Sequence, residues 1–392
     1  MRVLKLLRLV QGAGGTALSA LWTFPGILLS AFLVTWGAEA AQFLISQGLA
    51  LAILAWLQTL PEFAVEAVVA WEAGRDPARA HLAIANLTGA IRLLLGLGWP
   101  MVYGVYAWYG RHRSARLPAI VLGPEHAVEI AGLIPGLLYF AVILLKGTIG
   151  WIDAGVLLAI YGCYLAALLR HPPQAVERAA DAPRVARWAL RQPGWRRPAA
   201  IAGLFLVGGA LLFLTAHPFL ESILAVAGTL GVSQFVLVQW VAPFLSEFPE
   251  KVSAFAWARR VSHAPLALMN LVSSNINQWT VLAPTIPLIY GYSHWRTTGV
   301  WSDFHFDGEQ RLEILITLLQ STVAVLVLLT LEFRWYEAAG IFALWLAQFL
   351  VPGWREPVAW GYGAWIVVLA GLYVLRRRRP AALAAAWRSV RS

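Results

Sequence analysis

The sequence predicts an all-α polytopic membrane protein, built as two inverted five-helix repeats plus an extra C-terminal helix. Three observations carry that prediction. Of 392 residues, 59% are hydrophobic and only 13% are charged, and apolar stretches longer than about 18 residues, enough to cross a bilayer, recur along the chain. A Pro-Glu pair inside an apolar span occurs twice, in Thr59-Leu60-Pro61-Glu62-Phe63 and in Glu247-Phe248-Pro249-Glu250-Lys251. Each copy is followed by a short basic turn and a second apolar span carrying Asn86-Leu87 or Asn270-Leu271. Beyond those Asn residues the copies stay in register: Asn86 and Asn270, Pro100 and Pro284, Glu125 and Glu309, Glu129 and Glu313, and Trp151 and Trp335 all stand 184 residues apart. A transmembrane barrel would instead show alternating segments of about ten residues.

The elements follow in order. Met1 to Val10 is basic and apolar, with no small-residue cleavage site behind it, so no removed leader is expected. The first repeat, residues 1–170, carries expected spans at about 16–36, 40–73, 82–109, 126–146 and 148–170. Residues 171–198, rich in Pro and Arg, form a soluble linker with a short helix around Val185–Leu190. The second repeat, residues 199–356, carries spans at about 199–216, 220–258, 264–291, 310–331 and 333–351, and residues 357–392 add a span at about 357–375 and a basic tail. The second and seventh spans exceed one straight crossing. Pro61 and Pro249 each remove a backbone donor, so both helices should break there. Freed backbone groups at mid-depth are tolerable where they line a site.

Five spans per repeat force the two halves into opposite orientations. A cytoplasmic linker also puts Arg111, Arg113, Arg116, Arg259, Arg260 and the Arg376–Arg379 run in the cytoplasm, as the excess of basic residues on that side requires. The N-terminus and the loop with Arg75 and Arg79 run against that excess. The expected location is the cell membrane, with linker and C-terminus cytoplasmic. The net charge of +10 then sets topology rather than marking a nucleic-acid binder, and Cys163, the single cysteine, allows no intrachain disulfide. The expected partners are the lipid bilayer and transported cations; the sequence specifies no oligomeric state.

A carboxylate at membrane depth is costly and needs a job or a partner. Two at matching places in two halves point to a transporter whose site lies at the repeat interface. At this point the residues resemble a known family. Leu230-Gly231-Val232-Ser233-Gln234-Phe235-Val236, running without a gap to Phe248-Pro249-Glu250 and later to Asn270-Leu271-Val272-Ser273-Ser274-Asn275-Ile276-Asn277-Gln278, is similar to the second repeat of the calcium/cation antiporter superfamily, the sodium/calcium exchangers and their proton-coupled relatives. That signature is G-T-S-x-P-E, then G-N-x-x-G-S-N and a further Asn or Asp. The first half matches more loosely, as Gln58-Thr59-Leu60-Pro61-Glu62 and Asn86-Leu87-Thr88-Gly89-Ala90. The resemblance covers most of the chain.

Carried over residue by residue, the resemblance puts the two central carboxylates on Glu62 and Glu250. It puts the Thr and Ser before the Pro on Gln58 and Thr59 in one copy, and on Ser246 and Glu247 in the other. The later Ser falls on Ala90 and Ser274, and the final Asn or Asp on Leu94 and Gln278. The expected ion ligands are therefore Glu62, Glu250, Thr59, Gln58, Ser246, Glu247, Ser274 and Gln278. Ala90 and Leu94 replace polar ligands that resemble sodium positions, which turns the expectation toward proton coupling.

The chemistry fits these residue types. Calcium takes six to eight oxygens at about 2.3–2.6 Å, which carboxylates, hydroxyls and carbonyls near the two prolines can supply. An empty, doubly charged site should not cross the membrane interior bare, so either metal or the coupling ion must neutralise it. Glu247 and Lys251, four apart, share a helix face, and Glu247 is either a ligand or the partner of that lysine. Arg92, two residues past Ala90, is expected to pair structurally, and Glu66, one turn after Glu62, is a candidate second proton site. Glu39 and Glu221 precede the long broken spans. Glu125, Glu129, Glu309 and Glu313 open spans, where acids favour a helix N-terminus.

The scattered His residues lack zinc spacing. No Walker loop, dinucleotide fingerprint or nucleophile elbow occurs, so an enzyme is not expected, nor a cofactor beyond the transported cation. The leading expectation is a secondary antiporter that exchanges a divalent cation, calcium first, for protons or sodium by alternating access. The alternative is a non-transporting scaffold or sensor that kept the fold, favoured by Ala90, Leu94 and Lys251 and opposed by both Pro-Glu pairs.

Overall fold

The computed structural model describes residues 15–41, 43–44, 59–111, 119–170 and 182–391. The first repeat consists of α1 (Ala20–Ala41), α2 (Leu60–Arg75), α3 (Ala80–Leu93), α4 (Trp99–Gly110), α5 (Ala127–Lys146) and α6 (Trp151–Leu169). After the short linker helix α7 (Arg184–Leu190), the second repeat runs through α8 (Arg196–Leu230), α9 (Gln234–Ser246), α10 (Phe248–Ala258), α11 (Ala264–Asn277), α12 (Ala283–Thr298), α13 (Gly308–Leu328) and α14 (Trp335–Leu350). The helices α15 (Arg355–Val374) and α16 (Ala381–Arg391) close the chain. Among the described residues, seven helical stretches are long and apolar enough to cross a membrane. The crossings built from broken or short helices, such as α9 with α10, fall below that length. The outer surface carries exposed Leu138, Val142, Leu145, Trp360, Val367 and Val374, as a lipid-facing surface requires.

The inversion is visible in two small ribbons. β1 (Ala119–Val121), in the loop after α4, pairs antiparallel with β4 (Glu332–Arg334), in the loop after α13. β2 (Thr148–Ile149), after α5, pairs with β3 (Phe304–His305), after α12. The helix α5 runs from β1 to β2, and α13 runs from β3 to β4. Each ribbon thus ties the start of one to the end of the other, so α5 and α13 run in opposite directions. The helices that follow are capped alike. Asp153 and Glu337, 184 residues apart, accept from the amides of Gly150 and Arg334 at 2.7 and 2.8 Å, which satisfies a donor that the helix start leaves free.

Three departures from the sequence reading stand out. The sixth span does not end near residue 216. The apolar run continues on both sides of Pro218, so α8 is one helix of 35 residues, ended by Gly231 in the left-handed conformation (φ 65°). Glu39 and Glu221 accordingly lie on α1 and α8 rather than before the broken helices. Glu39 accepts from Ser253 at 3.0 Å and Glu221 from Arg79 at 2.6 Å. Second, the third span of each repeat is interrupted by a wide π-turn, Leu94–Gly98 and Gln278–Leu282. Third, α16 is a further helix, which lies against the start of α5.

The longest interface joins α1 and α8. Small side chains let the two approach: the hydroxyls of Ser19 and Ser222 meet at 2.7 Å, and Thr23 donates to Ser222 at 3.0 Å. The rest of the molecule wraps α2 and α3 together with α9 to α12 into one buried body. There α2 packs on α12 and α10 on α4.

Candidate ion site between the broken helices

The break in the seventh crossing falls at Glu247, which joins α9 to α10 in a non-helical conformation (φ −94°, ψ 2°). Its amide still donates to Pro243 O at 3.0 Å, and its carbonyl accepts from the Lys251 amide at 3.2 Å. Pro249 then sits in the first turn of α10, where its missing N–H costs nothing. The sequence located the break at the proline; it lies two residues earlier, because proline is welcome inside a helix start. In the first repeat Thr59 leads into α2 with Pro61 in the first turn, and the Phe63 amide donates to Thr59 O at 3.0 Å. Glu62 and Glu250 therefore both occupy first turns, where the helix field favours negative charge.

The π-turn supplies the residue that joins the start of α2 to the break at Glu247. Gln278 opens it and is fully buried; such wide turns re-aim a side chain that a regular helix would direct elsewhere. Gln278 Nε2 donates to Glu62 Oε1 at 2.8 Å and to Glu247 Oε1 at 3.0 Å. Its own oxygen accepts from Asn275 Nδ2 at 3.1 Å. One amide thus spans the repeats. The other oxygen of Glu247 takes Lys251 Nζ at 2.5 Å, so the ion pair of the sequence reading is present. Glu62, Glu247 and Lys251 are buried at 2%, 3% and 5% exposure, whereas Glu250 is partly exposed. The Ser274 hydroxyl donates to Glu250, and Asn270 Nδ2 lies 3.5 Å from it.

The remaining expected ligands divide. Thr59 is buried at the start of α2 and Ser246 at the break before α10, and Ser246 Oγ donates back to Ala242 O at 3.0 Å. Gln58 lies outside the described residues. Leu94 opens the first π-turn at the place where Gln278 opens the second, and with Ala90 it is fully buried. The first repeat thus offers hydrocarbon where the second offers an amide. Asn275, which orients Gln278, was not among the expected ligands, although it stands in the Asn-rich stretch that carried the resemblance.

Arg92 does not approach these carboxylates. It is buried with Glu313, to which it donates, and it also donates to Gln348 at 2.8 Å. Arg355 Nε lies 2.8 Å from the other Glu313 oxygen, and Gln239 Nε2 donates to Glu313 at 2.7 Å. Glu313 is therefore no simple helix-start acid. It is the centre of a buried polar junction that joins α3, α9, α13, α14 and α15, and sequence position alone gave no sign of partners so distant along the chain.

Comparison with known proteins agrees with this architecture. A sequence profile described as "Sodium/calcium exchanger protein" matches residues 15–170 and 200–354. The solved structure of an H+/Ca2+ exchanger, CAX, superposes with a TM-score of 0.86 at 29% identity, covering 100% of this chain and 99% of that one. The sodium-calcium exchanger NCX_Mj, soaked with 2.5 mM Na+ and 10 mM Sr2+, gives a TM-score of 0.51 at 15% identity, over 88% of this chain and 99% of that one. A second NCX_Mj structure, soaked with 10 mM Na+ and 10 mM Sr2+, gives 0.52 at 16% identity, over 87% and 98%. No curated protein matches the chain. With both repeats matched over most of its length and the start of α2 facing the break at Glu247 across Gln278, the chain belongs to the sodium/calcium exchanger protein family and is a multi-pass membrane protein.

Proposed function

We propose that this chain is a secondary antiporter that moves a divalent cation, calcium first, out of the cytoplasm in exchange for protons. The charge of the central cluster carries the reading. Glu62, Glu247 and Glu250 bring three negative charges, and Lys251 brings one positive charge on Glu247. The ionised cluster is left with two negative charges in a low-dielectric interior, which one divalent cation or two protons neutralise. Bare, it is too costly to carry between the two faces. Ala90 and Leu94 remove oxygen donors from the first repeat, which disfavours a sodium position there. The likeness to an H+/Ca2+ exchanger at a TM-score of 0.86, against 0.51 for a sodium-calcium exchanger, supports the same choice.

Glu62 and Glu250 are the principal calcium ligands in this reading. Thr59, Ser246, Ser274 and Gln58 supply further oxygens, toward the six to eight that calcium requires, and Gln278 adds its own once the amide that now turns its nitrogen to Glu62 and Glu247 rotates over. Glu247 is a ligand held in reserve by Lys251. The transporter resides in the cell membrane with linker and C-terminus in the cytoplasm. Exchange proceeds as α1 and α8 slide over the broken-helix core. The test is calcium flux in proteoliposomes driven in turn by a pH gradient and by a sodium gradient. Proton-driven flux abolished by Glu250→Gln is expected. No flux in folded protein with either gradient sinks the reading and favours a scaffold whose site Lys251 has closed.

A further inference from the structure

The two repeats share an Asn–Glu contact, which lies at the central cluster in the second repeat and one turn away from it in the first. Asn86 Nδ2 donates to Glu66 Oε2 at 2.6 Å in the first, and Asn270 Nδ2 lies 3.5 Å from Glu250 Oε1 in the second. Both pairs are 20 residues apart, and the two Asn are 184 apart. Counted back from the Asn, the first-repeat counterpart of Glu250 is Glu66. Counted forward from the Pro, it is Glu62. The two counts differ by four residues: α2 has 16 residues and α10 has 11, while the turn that follows α2 is one residue shorter than the turn that follows α10. The extra turn gives the first repeat two carboxyls, one turn apart, where the second has one at that depth.

Glu66 and Asn86 are buried at 0% and 1% exposure. Glu66 Oε1 and Asn86 Oδ1 have no hydrogen-bond partner among the described residues. Both are acceptors when the carboxyl is ionised. A hydrogen on Oε1 is what such a pair lacks: a carboxylic acid and a carboxamide pair in a two-bond ring, amide N–H to acid oxygen and acid O–H to amide oxygen, of which the first bond is present here. The charged groups on the elements packed against α2 are engaged elsewhere or lie at the ends of their helices. Arg92 is held by Glu313, Glu221 by Arg79, and Glu39 accepts from Ser253. His217 lies 3.5 Å from Glu72, His81 stacks on Phe235, and His294 stacks on Tyr290. Arg196, Arg197 and Arg296 are exposed at helix ends. One carboxyl and one amide fall far short of a calcium cage, so the occupant that fits is a proton.

Resting on the antiport reading above, we propose that Glu66, paired with Asn86, is a further proton-carrying site, filled when the central site is empty of calcium and emptied when calcium binds one turn away. The divalent charge at Glu62 favours the ionised form of Glu66, and its departure lets the proton return. The central cluster alone exchanges two protons for one calcium without net charge. A proton on Glu66 makes each turnover carry one charge against the calcium.

The experiment is proton-driven calcium flux in proteoliposomes clamped at a set membrane potential with potassium and valinomycin. Wild type should be accelerated or slowed by the potential according to its sign, while Glu66→Gln, which mimics the protonated acid, should keep its flux and become insensitive to potential. Potential-independent wild-type flux overturns the proposal whether or not the variant folds. Equal sensitivity in wild type and Glu66→Gln also overturns it, and leaves proton coupling intact. Absence of any proton-driven calcium flux in wild type overturns both readings together.

Discussion

Lys251 is the side chain that sets this site apart. It neutralises Glu247 from within the same helix, at 2.5 Å and almost out of reach of solvent. Removing one partner of a buried pair costs about 3–5 kcal/mol, because the other charge is left alone. Lys251→Met should therefore lower the thermal stability of calcium-free protein, and added calcium should restore most of the loss by replacing the ammonium. Unfolding followed in detergent with and without calcium checks this; equal calcium stabilisation of wild type and variant argues that Glu247 never meets the ion. Gln278 makes a complementary case. Gln278→Leu places in the second repeat what Leu94 places in the first, and it strips Glu62 and Glu247 of their shared donor. Unsatisfied buried acceptors cost about 1–3 kcal/mol, so the variant should be less stable and should transport calcium more slowly, as flux assays and unfolding midpoints will show. That Glu62, Glu250, Ser274 and Gln278 belong to one cluster was legible in the sequence, since Pro-Glu and the Asn-rich stretch mark them. The bridging of Glu62 to Glu247 was not, because it depends on the direction in which the π-turn throws Gln278.

At the scale of elements, the close approach of α3 and α9 brings the two repeats together. A Cβ added at Gly89 would stand 1.8 Å from the carbonyl oxygen of Gln239, which belongs to backbone and cannot swing aside. Gly89→Ala should then force α9 away from α3 and cost about 1–3 kcal/mol or more. Reduced yield of folded protein on size-exclusion chromatography, with proton-driven flux lost in what survives, is the expected result. The polytopic helical fold and the repeat were readable from hydropathy and the 184-residue register. The limits of the sixth span were not. The expected limit near residue 216 falls beside Pro218, and one missing donor in a long apolar helix is tolerated in a membrane when tertiary packing holds it. The π-turns at Leu94 and Gln278 leave no compositional trace, since they differ from their neighbours only in which carbonyl each amide reaches. Ribbons of two or three residues are equally silent.

For the whole molecule, the relevant motion is that of α1 with α8 against the rest. Their interface is lined by Ser19, Thr23, Gly26, Thr215 and Ser222, with Gly26 seated on Thr215. If they travel as one body, a disulfide between them is harmless, and a tether from either to the core is not. Ser19→Cys with Ser222→Cys, oxidised, should retain calcium flux. Arg79→Cys with Glu221→Cys, joined by a short bifunctional maleimide across the present salt bridge, should arrest flux until a cleavable linker is cut. Flux lost in the first pair, or kept in the second, would contradict that division. The junction at Glu313 lies within the body against which they slide. Arg92→Met should destabilise it by about 3–5 kcal/mol, and a second change, Glu313→Leu, should recover much of that loss.

The two ribbons also say something about birth order. A ribosome delivers β1 and β2 well before β4 and β3, the strands that complete them. The early half therefore enters the bilayer with both of its strand edges open, and neither closes until its mirror counterpart has been threaded in the opposite sense. Contacts so remote along the chain form late. The nascent protein is thus committed to waiting, and the last strand to arrive, β4, shuts the end that has waited longest.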